Sequence, residues 1–105
     1  MSSPEDIKAL IEKTVSEQLP QIEPVGVRTW VTQRLTQPYP VQLPVDPEGS
    51  QVEDFWIVTD HKQGKHHRIA FCPQSGSFGI VTPLASGVEW YMGDYGTFKE
   101  AAEGM

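Results

Sequence analysis

Residues 51–92 read QVEDFWIVTDHKQGKHHRIAFCPQSGSFGIVTPLASGVEWYM, and the turn chemistry inside this stretch decides the fold class. Four short runs of strand-forming residues, Asp54–Asp60, His66–Cys72, Ser77–Thr82 and Val88–Met92, are separated by KQGK, PQSG and PLASG segments. Gly, Pro and Ser at such positions favour turns. Connections this short join antiparallel neighbours, because a parallel crossover needs a dozen or more residues. Phe55-Trp56-Ile57-Val58 is apolar throughout, which predicts a central strand covered on both faces. Gly79, inside the third run, marks a bulge or the close approach of another group.

Upstream, Ser3-Pro4-Glu5-Asp6 has the composition of a helix start: a capping hydroxyl, proline at the first helical position and acids near the positive end of the dipole. Ile7, Leu10, Ile11, Val15 and Leu19 recur at helical spacing, so an amphipathic helix is expected over residues 3–19, ending before Pro20. Residues 25–35 alternate between Val25, Val27, Thr29, Val31 and Leu35 on one side and Arg28, Trp30, Thr32 and Arg34 on the other, which predicts a strand. Residues 37–50 hold Pro38, Pro40, Pro44 and Pro47, too many missing donors for a central strand, and read as a proline-rich surface loop. Downstream, Gly93-Asp94-Tyr95-Gly96 reads as a turn, and Thr97 with Glu100 forms a capping-box pattern that opens a short helix over 97–103.

The expectation is a single α+β domain spanning residues 1–105. It has an antiparallel sheet of about five short strands, the last four forming a meander over 54–92. An N-terminal amphipathic helix packs on one face, and a short C-terminal helix closes the chain. At 105 residues a single core can bury roughly two-thirds of the unfolded surface without metals or disulfides. The tail GIVTPLASGVEWYMGDYGTFKEAAEGM (79–105) is similar in general build to small bacterial α+β proteins, immunity proteins among them; this resemblance assigns no residue a role.

The formal net charge of −6 opposes general affinity for phosphate backbones, so no nucleic-acid partner is expected. One local exception is basic: Lys62, Lys65 and Arg68 give residues 61–72 a charge of +3. There is no apolar run long enough for a membrane span and a lone Cys72, so no membrane partner is expected and a cytoplasmic home is the default. No cofactor is implied. Cys72 precedes no phosphatase-like loop, since Phe78 stands where an arginine is needed, and Ser75-Gly76-Ser77 lacks the lysine of a phosphate loop. His61 and His66 face each other across a short hairpin, but His66 and His67 point to opposite faces of a strand, so no metal site is assigned. Asp54, Asp60, Glu89 and Asp94 supply carboxylates, none of which the sequence singles out as catalytic.

Alternation divides the sheet's apolar side chains. If Phe55, Ile57, Ile69, Phe71, Phe78 and Ile80 face the N-terminal helix, then Trp56, Val58, Ala70, Cys72 and Val81 face the other way. The expected function is a small non-enzymatic protein-interaction module (adaptor, regulator or immunity-like) that binds a partner protein or a second copy of itself. Its binding candidates are the aromatic sheet face with Arg28, Trp30 and Trp56, and the basic hairpin with His61, Lys62, Lys65, His66, His67 and Arg68. The alternative is a small-ligand-binding protein or enzyme with a pocket between the sheet and the proline-rich segment, lined by Trp30, Tyr39, Trp56 and Trp90 with His61 or His66 as the polar group.

Overall fold

Ser3 starts the chain's first helix as its sequence implies: its hydroxyl accepts from the Asp6 amide at 3.2 Å while the Asp6 carboxylate accepts from the Ser3 amide. This capped helix, α1 (Pro4–Gln18), runs into a single 3-10 turn at Leu19–Gln21. The structure is a computed structural model and describes residues 3–46, 48–60, 67–83 and 88–104. After α1 come α2 (Val25–Arg34), β1 (Leu35–Pro44), β2 (Val52–Thr59), β3 (Arg68–Cys72), β4 (Ser77–Pro83), β5 (Glu89–Gly96) and α3 (Phe98–Glu103). Among the described residues the strands form one antiparallel sheet in sequence order, β1-β2-β3-β4-β5. The fold is α+β. No helix among the described residues is long and apolar enough to cross a membrane.

Two elements differ from the sequence reading. Residues 25–34 are helical, not a strand. Val27, Trp30, Val31 and Arg34 also recur at helical spacing, and the tertiary setting chooses that period: Val31 is fully buried beside Ile22, Ile11 and Phe98, with Val27 and Trp30 packed around it. The i,i+4 pair Trp30 and Arg34 adds a cation–π contact at 4.2 Å. The second difference is the proline-rich segment, whose first part is strand β1, paired with β2 from Tyr39↔Ile57 to Pro44↔Val52. Backbone groups of successive strand residues point to opposite sides. Pro40 and Pro44 share a parity, so the donors they lack fall on the outer side of an edge strand and the ladder to β2 survives. Prolines exclude a central strand but not this one.

The faces of the sheet also differ from expectation. Register pairs Trp56 with Phe71 and Phe71 with Phe78, so these three share the helix side with Val58 and Ile69, above Ile11, Val15, Val31 and α3. Phe55 and Ile57 lie opposite, with Ala70, Cys72, Val81 and Tyr91. The parity assumed between β2 and β3 is thus off by one residue, which turns every side chain of β2 over.

This second face is covered by the sheet itself. The rings of Phe55 on β2 and Tyr91 on β5 stack with centroids 4.2 Å apart. In a flat sheet these strands would lie roughly 14 Å apart, three strand spacings. The sheet therefore rolls until β1 and β5 approach each other over a filled interior. The bend comes from β5: register skips between Phe78/Gly79 and Ile80/Val81 leave Tyr95 and Met92 as extra residues. Such bulges raise local twist and curl. Gly93-Asp94-Tyr95-Gly96, read as a turn, is this bulged end of the strand. Gly79 is the matching concession on β4, since a Cβ there would overlap the Gly93 carbonyl oxygen and the Tyr91 hydroxyl.

Past the sheet, Gly96 (φ 91°) leads into the Thr97/Glu100 capping box, and α3 buries Phe98, Ala101 and Ala102 against Phe78 and the helices. Gly79→Ala should destabilise the fold by about 1–3 kcal/mol through overpacking, read as a lower urea midpoint with an unchanged slope. Alkaline pH probes the same interior. Burial, followed by the Asp94 hydrogen bond and charge, raises the Tyr91 pKa above its ordinary 10.0. The neutral phenol is favoured in the folded state, so this contribution is intact below pH 10 and is lost as pH rises beyond it. Urea midpoints measured between pH 8 and 11 should fall less steeply for Tyr91→Phe than for the natural chain.

Candidate functional site

Rolling the sheet brings Arg68, at the start of β3, under both of its edges. Arg68 lies on the interior face, paired across from Val81, and only 8% of its surface is exposed. Its Nε donates to Glu89 Oε2 at 3.1 Å and its Nη2 to Glu89 Oε1 on β5. Its Nη1 donates to Asp60 Oδ1 at 3.3 Å, just past β2, and to the Tyr39 hydroxyl on β1 at 3.2 Å. The Tyr39 hydroxyl in turn donates to Asp60 Oδ2 at 3.0 Å. Burial, then the Asp60 hydrogen bond, pushes the Tyr39 pKa upward, so the phenol stays a donor through neutral pH. Two carboxylates that the sequence left uncommitted converge here on one guanidinium, with bidentate geometry on the Glu89 side. This cluster ties the two ends of the sheet together.

The sequence-derived binding residues are dispersed by the fold. Trp56 is only 7% exposed beneath the helices. Trp30 is half-buried against the same core, under the Arg34 guanidinium. Arg28 donates from Nη1 to the Pro20 carbonyl at 3.0 Å. Arg68 is engaged as above, His67 is exposed, and His61, Lys62, Lys65 and His66 lie outside the described residues. The pocket expected between sheet and proline-rich segment does not assemble from its proposed lining: Tyr39 packs with the interior of the roll, while Trp30 and Trp56 belong to the helix side. Among the described residues no three His, Cys, Asp or Glu side chains group as metal ligands, and Cys72 is buried.

What the fold does assemble is an apolar groove. The N-terminal half of α1 overhangs the sheet edge and the Cys72–Ser77 turn, leaving a cleft of 550 Å³. Its walls are Ile7 and Leu10 from α1, Pro40 from β1 and Pro73 from the turn, with Trp56 and Phe71 also in its lining. Leu10, expected in the buried stripe, is 52% exposed at this groove. The core direction of α1 is set by Ile11 and Val15, and Leu10 lies about 100° around the helix from Ile11. Asp54 is the one ionised lining residue among those described; its Oδ1 accepts from Gln42 Nε2 at 3.2 Å.

A second cleft of 600 Å³ lies between the end of α1 and α2, lined by Ser16, Arg28, Thr29, Thr32 and Gln33 among others. Its polar groups are partly committed: Thr32 Oγ1 donates to the Arg28 carbonyl at 2.7 Å, and Arg28 is spent on Pro20. Sequence reading missed the apolar groove because Pro40 was assigned to a loop and Leu10 to the core. Leu10's place at the margin of the apolar stripe was the available signal.

Comparison with known proteins finds no matching family model, no similar curated protein and no similar solved structure.

Arg68→Met should cost roughly 2–3 kcal/mol in denaturant unfolding, less than a fully buried ion pair because both carboxylates keep some solvent. Arg68→Lys should recover little of it, since an ammonium cannot serve Glu89 bidentately while also reaching Asp60 and Tyr39.

Proposed function

We propose that this chain is a small non-enzymatic protein-interaction module and that its docking site is the groove beneath the N-terminal half of α1. The reading rests on one observation: a half-exposed Leu10 stands beside a cleft whose lining is mainly apolar, with Asp54 and Gln74 as its polar side chains. Leu10 in water, with Ile7 partly exposed beside it, is a cost to a solitary domain, and a partner that covers them recovers it. The groove's volume falls within the roughly 300–1,000 Å³ typical of binding clefts. Catalysis has less support, because Asp60 and Glu89 are both bound to the Arg68 guanidinium and Asp94 accepts from Tyr91.

The aromatic sheet face first expected to dock a partner is turned inward, so the proposal moves to the margin of that face. The partner is a protein and not a second copy, since Leu10 projects from one side of a recessed cleft and a flat self-complementary patch is not what the groove offers. A photo-crosslinking phenylalanine analogue at Leu10, introduced in the source cells, should give one discrete adduct. The same analogue at Thr32, on exposed α2, should not. Leu10→Asp should abolish co-purification of the adduct's protein while leaving the thermal midpoint within about 2 °C. Equal adduct patterns from both positions, or a partner indifferent to Leu10→Asp, would rule this groove out; a concentration-dependent dimer sensitive to Leu10→Asp would replace the partner with a second copy.

A further inference from the structure

We infer that the occupant of the α1 groove is a basic apolar peptide segment, with one or more Lys or Arg side chains beside large apolar ones; this rests on the interaction reading above.

Among the described residues Asp54 is the single ionised one in the lining. Its side chain is exposed at the rim, and one oxygen is held by Gln42. A wholly apolar occupant seated over the cleft would strip water from that carboxylate and supply no donor in return. A cationic donor converts this penalty into an attraction and sets the register of the bound segment.

The neighbouring backbone points the same way. Pro40 lines the groove, and Pro40 and Pro44 retain outward carbonyls without amide hydrogens. Of residues 40, 42 and 44, which share the outer side, only Gln42 contributes a donor. The exposed rim of β1 is therefore rich in acceptors. Ordinary strand addition, which trades donors and acceptors alternately, is disfavoured there. Lys and Arg, carrying several donors and no acceptor, complement such an edge.

Charge at longer range agrees. Glu5 and Asp6 occupy the first turn of α1 beside Pro4 and Ile7, while Lys8, the cation of the next turn, donates from Nζ to Gln37 Oε1 at 3.5 Å, outside the groove's lining. Among the described residues no Lys or Arg lines the groove, and the chain as a whole carries −6. A basic segment is steered toward this face, an acidic one is repelled, and the association weakens with salt.

A random peptide library displayed on phage and selected on the full chain tests this. The natural protein should enrich peptides that combine Lys or Arg with large apolar residues, and a synthetic consensus peptide should lose affinity as salt rises. Asp54→Asn, which keeps an acceptor for Gln42, should weaken that peptide severalfold, and Asp54→Lys by about tenfold or more, with reselection drifting toward acidic sequences. Leu10→Asp should remove binding altogether. Enrichment that depends on Leu10 but is neutral or acidic, or that ignores both Asp54 variants, overturns the basic occupant and leaves the docking groove standing. Absence of any Leu10-dependent enrichment overturns both.

Discussion

The stacked rings of Phe55 and Tyr91 join strands that a flat sheet would hold three spacings apart. That contact requires the bulged β5 to bend over and Ala70 and Gly79 to leave room beneath it. Once it forms, the interior of the roll is filled by Leu43, Phe55, Ile57, Cys72, Val81 and Tyr91, and the sheet needs no second layer of helices. A single sheet thus supplies both the floor for α1, α2 and α3 and its own cover on the opposite side.

Closing the roll has an electrostatic counterpart. Arg68 sits inside with a hydrophobic neighbourhood, and it is tolerable there because Glu89, Asp60 and Tyr39 arrive from separate elements to occupy its donors. Asp60 sits beside Arg68 at the end of the neighbouring strand, whereas Tyr39 on β1 and Glu89 on β5 each lie two strands away, so their meeting on Arg68 and the Phe55–Tyr91 stack report the same curvature from two chemistries. On the helix side the middle of α1, α2 and α3 pack on the shared core, while the first turns of α1 stand off from the sheet over Pro40, Trp56 and Phe71. The groove with Leu10 on its wall is a consequence of that incomplete overlap.

Legibility followed locality. The Ser3 cap and the Thr97/Glu100 capping box are visible within four residues, because the side chain and the amide it satisfies are neighbours in the chain. The β2-to-β5 order was readable from connection lengths alone. Residues 25–34 were not, since their apolar positions satisfy a period of two and a period of 3.6 at once and only burial of Val31 between α1 and α3 separates the two. Trp56 and Phe55 exchanged faces because register depends on hydrogen bonds across strands, and one residue of slip is invisible to composition. The groove was illegible for the same reason: Leu10, Pro40, Asp54 and Pro73 are spread over 64 residues and meet only when α1 settles on the sheet.

By itself the sequence determined an acidic α+β chain with a capped helix at each end and an antiparallel meander over residues 54–92. Those properties rest on backbone sterics, caps and short connections, which act between near neighbours. The tertiary structure alone decided that the prolines of β1 line an outer edge, that the second face of the sheet is closed by curvature, that Arg68 is a clamp, and that an apolar groove remains open under α1. Each of these depends on which distant side chains share a space, and that is settled by packing.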